Sequence, residues 1–459
     1  MKRLFGLLAL LLPLSLAAQQ VTGSWNGTLD VGGTKLRLVF HIAQSDTGLK
    51  ATLDSPDQGV KGIPVDSVAC SASGISLHIT PLQARFDGVF FGSELLTGIF
   101  TQMGRSMSLC LKRGEAERAA RPQEPKAPYP YRREEISFES RENGLTLHGT
   151  LTLPEGEGRH PAVVLVTGSG TQNRDEELMG HRPFLVLADR LTRAGYAVLR
   201  YDDRGWGATK EEAAALRYST THHLMLDALG GFDHLTNHPS IDPAKIIVAG
   251  HSEGGTIALL AAAEEPRVAG VISLAGMMVR GDEVLVKQNV VGLIQRGLPT
   301  EVAEAYGAAL GRLYGYWQMM TPTELKEQQE AILGRDIGSE PMPEPLRKNL
   351  ASVAESAQNP WLYHFVRLDP REAIGKLGKR PCLAINGEKD TQVDAAMNLG
   401  RLQALTTKNK RVTTKSYEGL NHLLQPCQTG AVTEYSQITT TIDEEVLSEL
   451  IVWLDKQFK

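Results

Sequence analysis

The sequence predicts an α/β fold, in which helices cover a mostly parallel sheet, preceded by a small all-β domain. Residues 19–113 follow a two-residue hydrophobic period that glycine and aspartate turns interrupt at short intervals. From residue 134 onward, short continuous apolar runs alternate with helical periods, as expected for a parallel sheet that is buried on both faces. Residues 114–133 are rich in proline, so we expect a semi-rigid linker between the two parts.

The composition is that of a globular protein with an acidic balance. The chain has 459 residues, of which 42% are hydrophobic and 22% are charged, so it is long enough for two or three domains. Its formal net charge of -5 offers no basic surface for nucleic acid, and we expect no nucleic-acid partner. A small neutral substrate is compatible with this charge.

The first residues have the parts of an export signal. Two basic residues, Lys2 and Arg3, precede an apolar run over residues 4–16, and small residues follow it. We expect cleavage after Ala18, with the preceding alanine as the alternative. The apolar run is too short to span a membrane, and no later segment approaches the roughly 18 apolar residues that spanning needs. We therefore predict that residues 1–18 direct export to the periplasm or beyond the cell, without stable membrane insertion.

The predicted β domain, residues 19–113, alternates apolar and polar side chains, which is typical of half-buried antiparallel strands. This period predicts either a barrel or a sandwich. Cys70 and Cys110 lie in this domain and could form a disulfide in an exported chain. Neither the cysteine spacing nor a nearby histidine indicates zinc, so we expect no metal. The apolar positions that show the period are Leu36, Leu38, Phe40, Ile42, Ile75, Leu77 and Ile79.

Eight strands are predicted after the linker, in a domain that we place at residues 134–459. The first two form a hairpin, and the others alternate with helices. The predicted strands are 136–139, 145–153, 162–166, 197–201, 245–249, 268–274, 382–385 and 412–416, and the predicted helices are 184–194, 225–235, 256–263 and 443–454.

A segment of about residues 277–378 has helical patterns and no strand pattern, which is too much chain for a simple crossover. We predict a helical cap inserted between the sixth and seventh strands of this domain. A stripe of aromatic and methionine residues in the cap has two explanations, the lining of an apolar substrate pocket or the cap's own core. Its members are Tyr306, Tyr314, Tyr316, Trp317, Met319 and Met320.

The clearest candidate for a reacting group is Ser252. A β-branched run enters Gly250-His251-Ser252-Glu253-Gly254, and an alanine-rich helical pattern follows it. The glycines remove side chains that would clash in so tight a strand-to-helix turn, which holds the serine hydroxyl above the sheet edge. An ordinary glycine-rich connection has the same local pattern, so the choice needs support from other residues.

A serine nucleophile needs a base within reach and an acid that orients the base. Asp390 follows the seventh predicted strand and His422 follows the eighth, so both loops open at the sheet edge that holds Ser252. Asp394 or Glu388 could be the acid instead, but the position directly after the strand favours Asp390. The order serine, aspartate, histidine is the one expected for an α/β-hydrolase.

Acyl transfer also needs backbone amides for the negative charge that develops on the carbonyl oxygen. The amide that follows the nucleophile belongs to Glu253. We expect the second amide from the turn after the third strand, at Ser169 or next at Gly170, although this turn could be only a tight connection. His251, beside the nucleophile, is expected to pack in the elbow rather than to catalyse.

A pair of carboxylates, Asp202 and Asp203, stands directly before Arg204 after the fourth predicted strand. Paired aspartates suggest a metal site or a glycosidase. An aspartate beside an arginine is explained more simply by an internal ion pair that braces the loop, and we expect this structural role.

Five segments within residues 134–459 carry a further signal. They are Gly-Ser-Gly-Thr-Gln-Asn-Arg-Asp from Gly168, Asp-Asp-Arg-Gly-Trp-Gly from Asp202, Gly-His-Ser-Glu-Gly-Gly from Gly250, Gly-Glu-Lys-Asp-Thr-Gln-Val from Gly387, and the Asn421-His422 loop. Together they resemble the bacterial α/β-hydrolase esterases of the EstD type, and the leading β domain is similar to one found before such esterases. The resemblance implies carboxylesterase activity on short-acyl esters without a cofactor, with the family's triad at Ser252, Asp390 and His422. The chain departs from the common His-Gly oxyanion motif, because Thr167 precedes the first glycine.

We therefore predict an exported serine carboxylesterase that acts through an acyl-enzyme on a small-molecule ester. A peptidase of the prolyl-oligopeptidase kind would share the triad, but it usually carries a large propeller that roughly 90 residues cannot form. The other alternative is a binding protein, in which the β domain contacts a glycan or lipid beside an inert hydrolase scaffold. The complete set of reactive residues favours the enzyme. Neither the acyl length nor the oligomeric state follows from the sequence.

Overall fold

The computed structural model describes residues 21–31, 34–46, 48–58, 60–71, 73–114, 120–142, 144–212, 218–334 and 342–459. The predicted export signal and part of the predicted linker lie outside these ranges. The chain divides into two compact units. The first comprises Met1–Ala120 with Leu178–Gly180, and the second comprises Arg121–Glu177 with His181–Lys459.

The first unit is a single antiparallel sheet of nine strands in the order β4-β3-β2-β1-β9-β8-β7-β6-β5. The sheet nearly closes on itself, because each edge strand also contacts the strand next to the opposite edge. The alternating sequence period thus produced a strongly curved sheet, which is the barrel alternative. The strands are β1 Gly23–Val31, β2 Thr34–Ser45, β3 Gly48–Ser55, β4 Val60–Val65, β5 Ser67–Cys70, β6 Gly74–Ile79, β7 Ala84–Phe91, β8 Leu95–Gln102 and β9 Arg105–Arg113.

Large side chains fill the inside of this curved sheet. Trp25 and Phe40 are fully buried, and the Trp25 indole donates a 2.7 Å hydrogen bond to the Val21 carbonyl oxygen, so its polar group is satisfied. Cys70 and Cys110 are both free, and the disulfide considered above is not formed.

The second unit contains an eight-stranded sheet in the order β10-β11-β13-β12-β14-β15-β16-β17. β10 and β11 pair antiparallel, β11 pairs antiparallel with β13, and every other pairing is parallel. This is the mostly parallel sheet that the sequence predicted. The strands are β10 Arg132–Glu139, β11 Thr146–Leu153, β12 His160–Val166, β13 Ala197–Tyr201, β14 Ile241–His251, β15 Gly270–Leu274, β16 Cys382–Gly387 and β17 Val412–Tyr417.

Helices cover both faces of this sheet. Ile246 and Val248 of β14 belong to one apolar core, and Ile247 and Ala249 belong to the core on the opposite face. A central strand buried on both sides is therefore continuously apolar. The helices are α1 Pro183–Arg193, α2 Thr221–Thr236, α3 Glu253–Glu264, α4 Gly281–Gln295, α5 Thr300–Met319, α6 Pro322–Ile332, α7 Glu344–Glu355, α8 Pro360–Arg367, α9 Arg371–Gly375, α10 Ala395–Leu405 and α11 Glu444–Phe458.

The helix predicted at residues 225–235 begins earlier, at Thr221. Thr220 is its N-cap residue, and the Thr220 backbone N–H donates to His223 Nδ1 at 3.1 Å in a capping box. The usual capping box has glutamate or glutamine at this position, so a histidine concealed the helix start in the sequence.

Helices α4 to α9 lie between β15 and β16, where the sequence predicted the cap. Tyr306, Tyr314 and Trp317 are at most 3% exposed and belong to the core that these helices share. They therefore form the cap's own core, which is the second of the two explanations that the sequence left open. Met319 is 76% exposed. In the described part of the chain, no helix has the length and apolar character needed to span a bilayer.

Candidate active site

Ser252 lies in the turn between β14 and α3, with backbone angles φ 54° and ψ -122°. Non-glycine residues rarely adopt this conformation, and it is held by close backbone packing. A Cβ on Gly250 would lie 2.2 Å from the Gly254 carbonyl carbon, and a Cβ on Gly254 would lie 2.1 Å from the Val166 oxygen. Both glycines are therefore required for the elbow. The Ser252 N–H donates to the Leu274 carbonyl oxygen at 2.8 Å.

Asp390 and His422 form a buried pair after β16 and β17. His422 Nδ1 lies 2.7 Å from Asp390 Oδ2, and the two side chains are 4% and 0% exposed. The other carboxylate oxygen accepts from the backbone amides of Gln392 and Val393, each at 2.8 Å. The carboxylate is thus held by its own turn on one side and presents its second oxygen to the imidazole.

The alternative acids are engaged elsewhere. Asp394 is the N-cap residue of α10 and accepts from Met397 N at 2.8 Å. Glu388 accepts a 2.7 Å hydrogen bond from Ser416 Oγ. Of the three carboxylates considered, Asp390 is the one that contacts His422.

His251 links the turn that holds Ser252 to the loop that holds His422. Its ring centroid lies 4.7 Å from that of His422, and its Nε2 lies 3.0 Å from the His422 carbonyl oxygen. Within the described residues, Ser252 Oγ and His422 Nε2 share no hydrogen bond. Catalytic hydrogen bonds are often long before substrate binds, so this does not count against a serine and histidine pair.

The predicted oxyanion turn follows β12 and approaches the elbow closely. A Cβ on Gly168 would lie 3.2 Å from the Ser252 Cβ. Glu253 is the first residue of α3, so its N–H has no acceptor inside the helix. Within the described residues, the Ser169 and Glu253 amides donate to no backbone or side-chain acceptor. The Gly168 amide, in contrast, donates to Glu176 Oε1 at 2.9 Å.

The Glu253 side chain was not singled out in the sequence, yet it links three elements. It is 2% exposed, and its carboxylate accepts from Ser169 Oγ at 2.7 Å, from Thr221 Oγ1 at 2.6 Å and from Trp361 Nε1 at 3.1 Å. Burial raises the pKa of Glu253, and the three donors oppose this rise. One carboxylate thus joins the oxyanion turn, the start of α2 and the cap helix α8.

The residues Asp202, Asp203 and Arg204 brace their loop, but not through a pair among themselves. Asp202 accepts from Arg174, and Asp203 accepts from Thr167 Oγ1 at 2.7 Å. Burial raises the pKa of Asp203 well above its usual range. The structural role is as expected, while the partners come from other segments. Within the described residues, no cluster of His, Cys, Asp or Glu has the geometry to hold a metal ion.

A mostly parallel sheet covered by helices, with a cap inserted after β15 and a strained serine turn after β14, defines an α/β hydrolase. The chain belongs to the family described as Serine aminopeptidase, S33, whose model Hydrolase_4 matches residues 182–425. This match covers more than half of the chain and confirms the predicted fold class.

Two curated relatives are similar over a shorter part. Esterase EstD of Thermotoga maritima is 33% identical over 142 residues, which cover 30% of this chain and 32% of that protein. The 2,6-dihydropseudooxynicotine hydrolase of Paenarthrobacter nicotinovorans is 33% identical over 135 residues, covering 29% of this chain and 33% of that protein. The chain thus spans about a third of the length of each relative, and the EstD match confirms the resemblance.

One solved structure is similar over most of the chain. A Mycobacterium tuberculosis puromycin-hydrolyzing peptidase aligns over 94% of this chain and 53% of its own chain, at 15% identity and a TM-score of 0.44.

Proposed function

We propose that this protein is a serine carboxylesterase that hydrolyses short-acyl esters through an acyl-enzyme. The observation that carries the proposal is the buried, hydrogen-bonded pair of Asp390 and His422. Both residues lie in loops at the edge of the sheet where Ser252 lies, and the ring of the neighbouring His251 packs against that of His422. A serine in a strained turn, an imidazole base and a carboxylate that is hydrogen-bonded to the imidazole are the groups that nucleophilic acyl transfer requires.

His422 Nε2 accepts the proton of Ser252 Oγ as that oxygen attacks the ester carbonyl carbon. The carbonyl π electrons move to the oxygen, which the Ser169 and Glu253 amides stabilise. When the tetrahedral intermediate collapses, the bond to the alcohol breaks and His422 returns the proton to the alcohol oxygen. Water then attacks the acyl-enzyme carbonyl carbon while His422 takes its proton, and as the bond to Ser252 Oγ breaks and the acid leaves, His422 returns that proton to Ser252 Oγ.

The choice of an ester rests on the similarity to Esterase EstD. A peptidase is the second candidate, because the description of the chain's own family is that of an aminopeptidase. The nitrogen of an amide must be protonated before it can leave, whereas the alcohol of an activated ester leaves more easily. Hydrolysis rates measured on matched esters and amides therefore distinguish an esterase from a peptidase.

The first test is hydrolysis of p-nitrophenyl esters from acetyl to decanoyl, with aminoacyl p-nitroanilides measured in parallel. We expect the unchanged protein to hydrolyse the short esters and Ser252→Ala to have no activity. The control variant Ser448→Ala, at an exposed serine of α11, should keep the activity. Turnover of the anilides alone would favour the peptidase. A folded protein that turns over neither class would refute the proposal.

We further propose that the protein is exported and that residues 1–18 are removed. Amino-terminal sequencing of the protein recovered outside the cytoplasm should begin at Gln19. Recovery of the chain in the cytoplasm with Met1 retained would contradict this.

A further inference from the structure

Glu176 lies in the connection between β12 and α1 and has two features that oppose stability. It is 1% exposed, and its φ of 53° is in the left-handed region that glycine favours. Its Oε2 atom is buried and accepts no hydrogen bond within the described residues. A buried carboxylate and a strained backbone both cost stability, so the surrounding contacts must hold this side chain in place. Such residues cluster at functional sites.

The other carboxylate oxygen of Glu176 joins two parts of the active site. Oε1 accepts a 2.9 Å hydrogen bond from the amide of Gly168, which directly precedes Ser169. The same oxygen lies 3.0 Å from His251 Nδ1, and His251 Nε2 lies 3.0 Å from the carbonyl oxygen of His422. A continuous chain of hydrogen bonds therefore runs from the oxyanion turn to the backbone of the His422 loop.

The two partners of the His251 ring determine its protonation. The backbone carbonyl only accepts hydrogen bonds, and so does Glu176 in its carboxylate form, so beside the carboxylate both ring nitrogens carry a proton. Burial alone lowers the pKa of His251, but the Glu176 carboxylate, the His422 carbonyl and the Asp390 charge together raise it above its usual value. Glu176 and His251 line a small cavity together with apolar side chains, namely Pro183, Phe184, Leu187, Leu274, Leu423, Leu424 and Ile442.

We propose that Glu176 and His251 form a buried ion pair that positions the oxyanion turn and the His422 loop relative to Ser252. The hydrogen bonds of the pair go to the Gly168 amide and the His422 carbonyl oxygen, not to Ser252 Oγ or the His422 ring nitrogens, so both are positioning residues. This inference rests on the proposed serine mechanism, which it deepens by naming what holds the reactive groups in register.

Two short connections transmit the effect of the pair. The Glu176 carboxylate fixes the Gly168 peptide, and the next amide along the chain is the proposed donor at Ser169. The His251 imidazolium holds the His422 carbonyl, and it stands one residue before Ser252. A shift of either connection by a fraction of an ångström would misalign groups whose contribution depends on geometry.

The first experiment measures the ion pair itself in the full-length folded protein. Nitrogen-15 NMR of histidine distinguishes a doubly protonated ring from either neutral tautomer. The His251 signals are assigned by their absence in His251→Gln. At pH 7.5 we expect them to show a cationic ring in the unchanged protein and a neutral ring in Glu176→Gln. A neutral His251 ring in the unchanged protein would overturn the proposal, whatever the enzyme hydrolyses.

The second experiment measures positioning. Glu176→Gln keeps an acceptor for Gly168 but removes the charge, and we expect kcat to fall at least about tenfold, with KM within about threefold. The double variant with His251→Gln should lose little more than either single variant, because the two residues act as one unit. The matched control is Glu177→Gln, at the neighbouring and more exposed glutamate, which should keep kcat within twofold.

Labelling of Ser252 by a fluorophosphonate separates this inference from the proposed function. The labelling rate depends on the serine, the base and the oxyanion amides, but not on the natural substrate. We expect at least tenfold slower labelling in folded Glu176→Gln and His251→Gln. Folded variants with unchanged kcat or labelling rates would refute the positioning role, even if stability falls. Ester hydrolysis can be absent while labelling still depends on the pair, in which case only the substrate assignment fails.

Discussion

Asp390 divides its two carboxylate oxygens between separate partners. One oxygen accepts two turn amides and the other faces His422 Nδ1. The turn therefore decides the direction of the second oxygen, which favours the His422 tautomer with the proton on Nδ1. In the proposed mechanism, this tautomer leaves Nε2 free to accept the serine proton. A proton on the wrong nitrogen would block the first step.

We expect Asp390→Asn to lower kcat by a factor on the order of 10³ to 10⁴, because an amide N–H toward Nδ1 favours the opposite tautomer. The measurement is steady-state hydrolysis of p-nitrophenyl acetate. Asp394→Asn is the matched control, since asparagine caps a helix as well as aspartate does and Asp394 caps α10. Equal losses in the two variants would contradict the assignment of Asp390.

At the scale of elements, a hydrogen-bonded contact between Trp361 and Glu253 ties the cap to the turn that holds Ser252. Trp361 on α8 donates to both oxygens of Glu253, at 3.1 and 3.2 Å. Since the Ser169 hydroxyl binds the same carboxylate, the position of the cap helix and that of the oxyanion turn depend on each other.

Trp361→Phe should lower kcat/KM for p-nitrophenyl acetate by about tenfold. The change keeps an aromatic ring but removes a hydrogen bond to a buried carboxyl group, a contact worth about 1.5 to 3 kcal/mol. Trp317→Phe is the control, because the Trp317 Nε1 atom in the cap core has no hydrogen-bond partner among the described residues. If Trp317→Phe lowers kcat/KM equally, the effect belongs to cap packing rather than to Glu253.

The C-terminal end of α3 is held by a charge network that depends on pH. Arg267, Arg141 and the Arg267 amide bind the Glu265 carboxylate and lower its pKa below the usual range. The folded protein therefore holds this proton more weakly than the unfolded chain does. The resulting stability is complete above the unfolded pKa of about 4.3 and is lost as pH falls through and below it.

We accordingly expect Glu265→Gln to reduce the free energy of unfolding at pH 7 more than at pH 3.5, as measured by urea denaturation. Glu264→Gln, at the neighbouring exposed glutamate, should give a small change at both pH values. A loss for Glu265→Gln that is the same at both pH values would show that its ionisation contributes nothing.

Across the whole second unit, Arg204 connects segments that are distant in the sequence. Its side chain is 1% exposed and binds Asp227 of α2 at 2.6 Å and Glu142 of the β10 to β11 connection at 2.6 Å. Burial raises the pKa of Asp227, and Arg204 opposes that rise. Removing one partner of such a buried pair leaves the other charge buried and uncompensated, which strongly lowers the free energy of unfolding.

Arg204→Met should lower the free energy of unfolding by about 3 to 5 kcal/mol, because it leaves Asp227 buried without its cation. Chemical denaturation gives this quantity directly. Arg371→Met, which removes an exposed pair with Asp369, should have little effect. A loss below about 1 kcal/mol for Arg204→Met would mean that Asp227 finds other partners or is protonated.

Local patterns allowed much of this molecule to be predicted. The apolar runs placed the strands of the parallel sheet, and the glycines placed the turn at Ser252, because burial on two faces and close backbone packing both leave a signature in adjacent residues. The start of α2 at Thr221 was missed, and the sequence left the role of the cap aromatics open between two explanations. A histidine in a capping box is unusual, and an aromatic stripe is the same whether it faces a ligand or its own core.

The sequence by itself determined the fold class, the insertion of the cap and the elements on which the candidate reactive residues lie. Only the tertiary structure decided which side chains hold those residues in place. Glu176 meets His251 across 75 positions, His251 meets the His422 carbonyl across 171, and Trp361 meets Glu253 across 108. Hydrophobic period and turn chemistry report on neighbours along the chain, whereas these contacts exist only once the parallel strands bring distant loops to one edge.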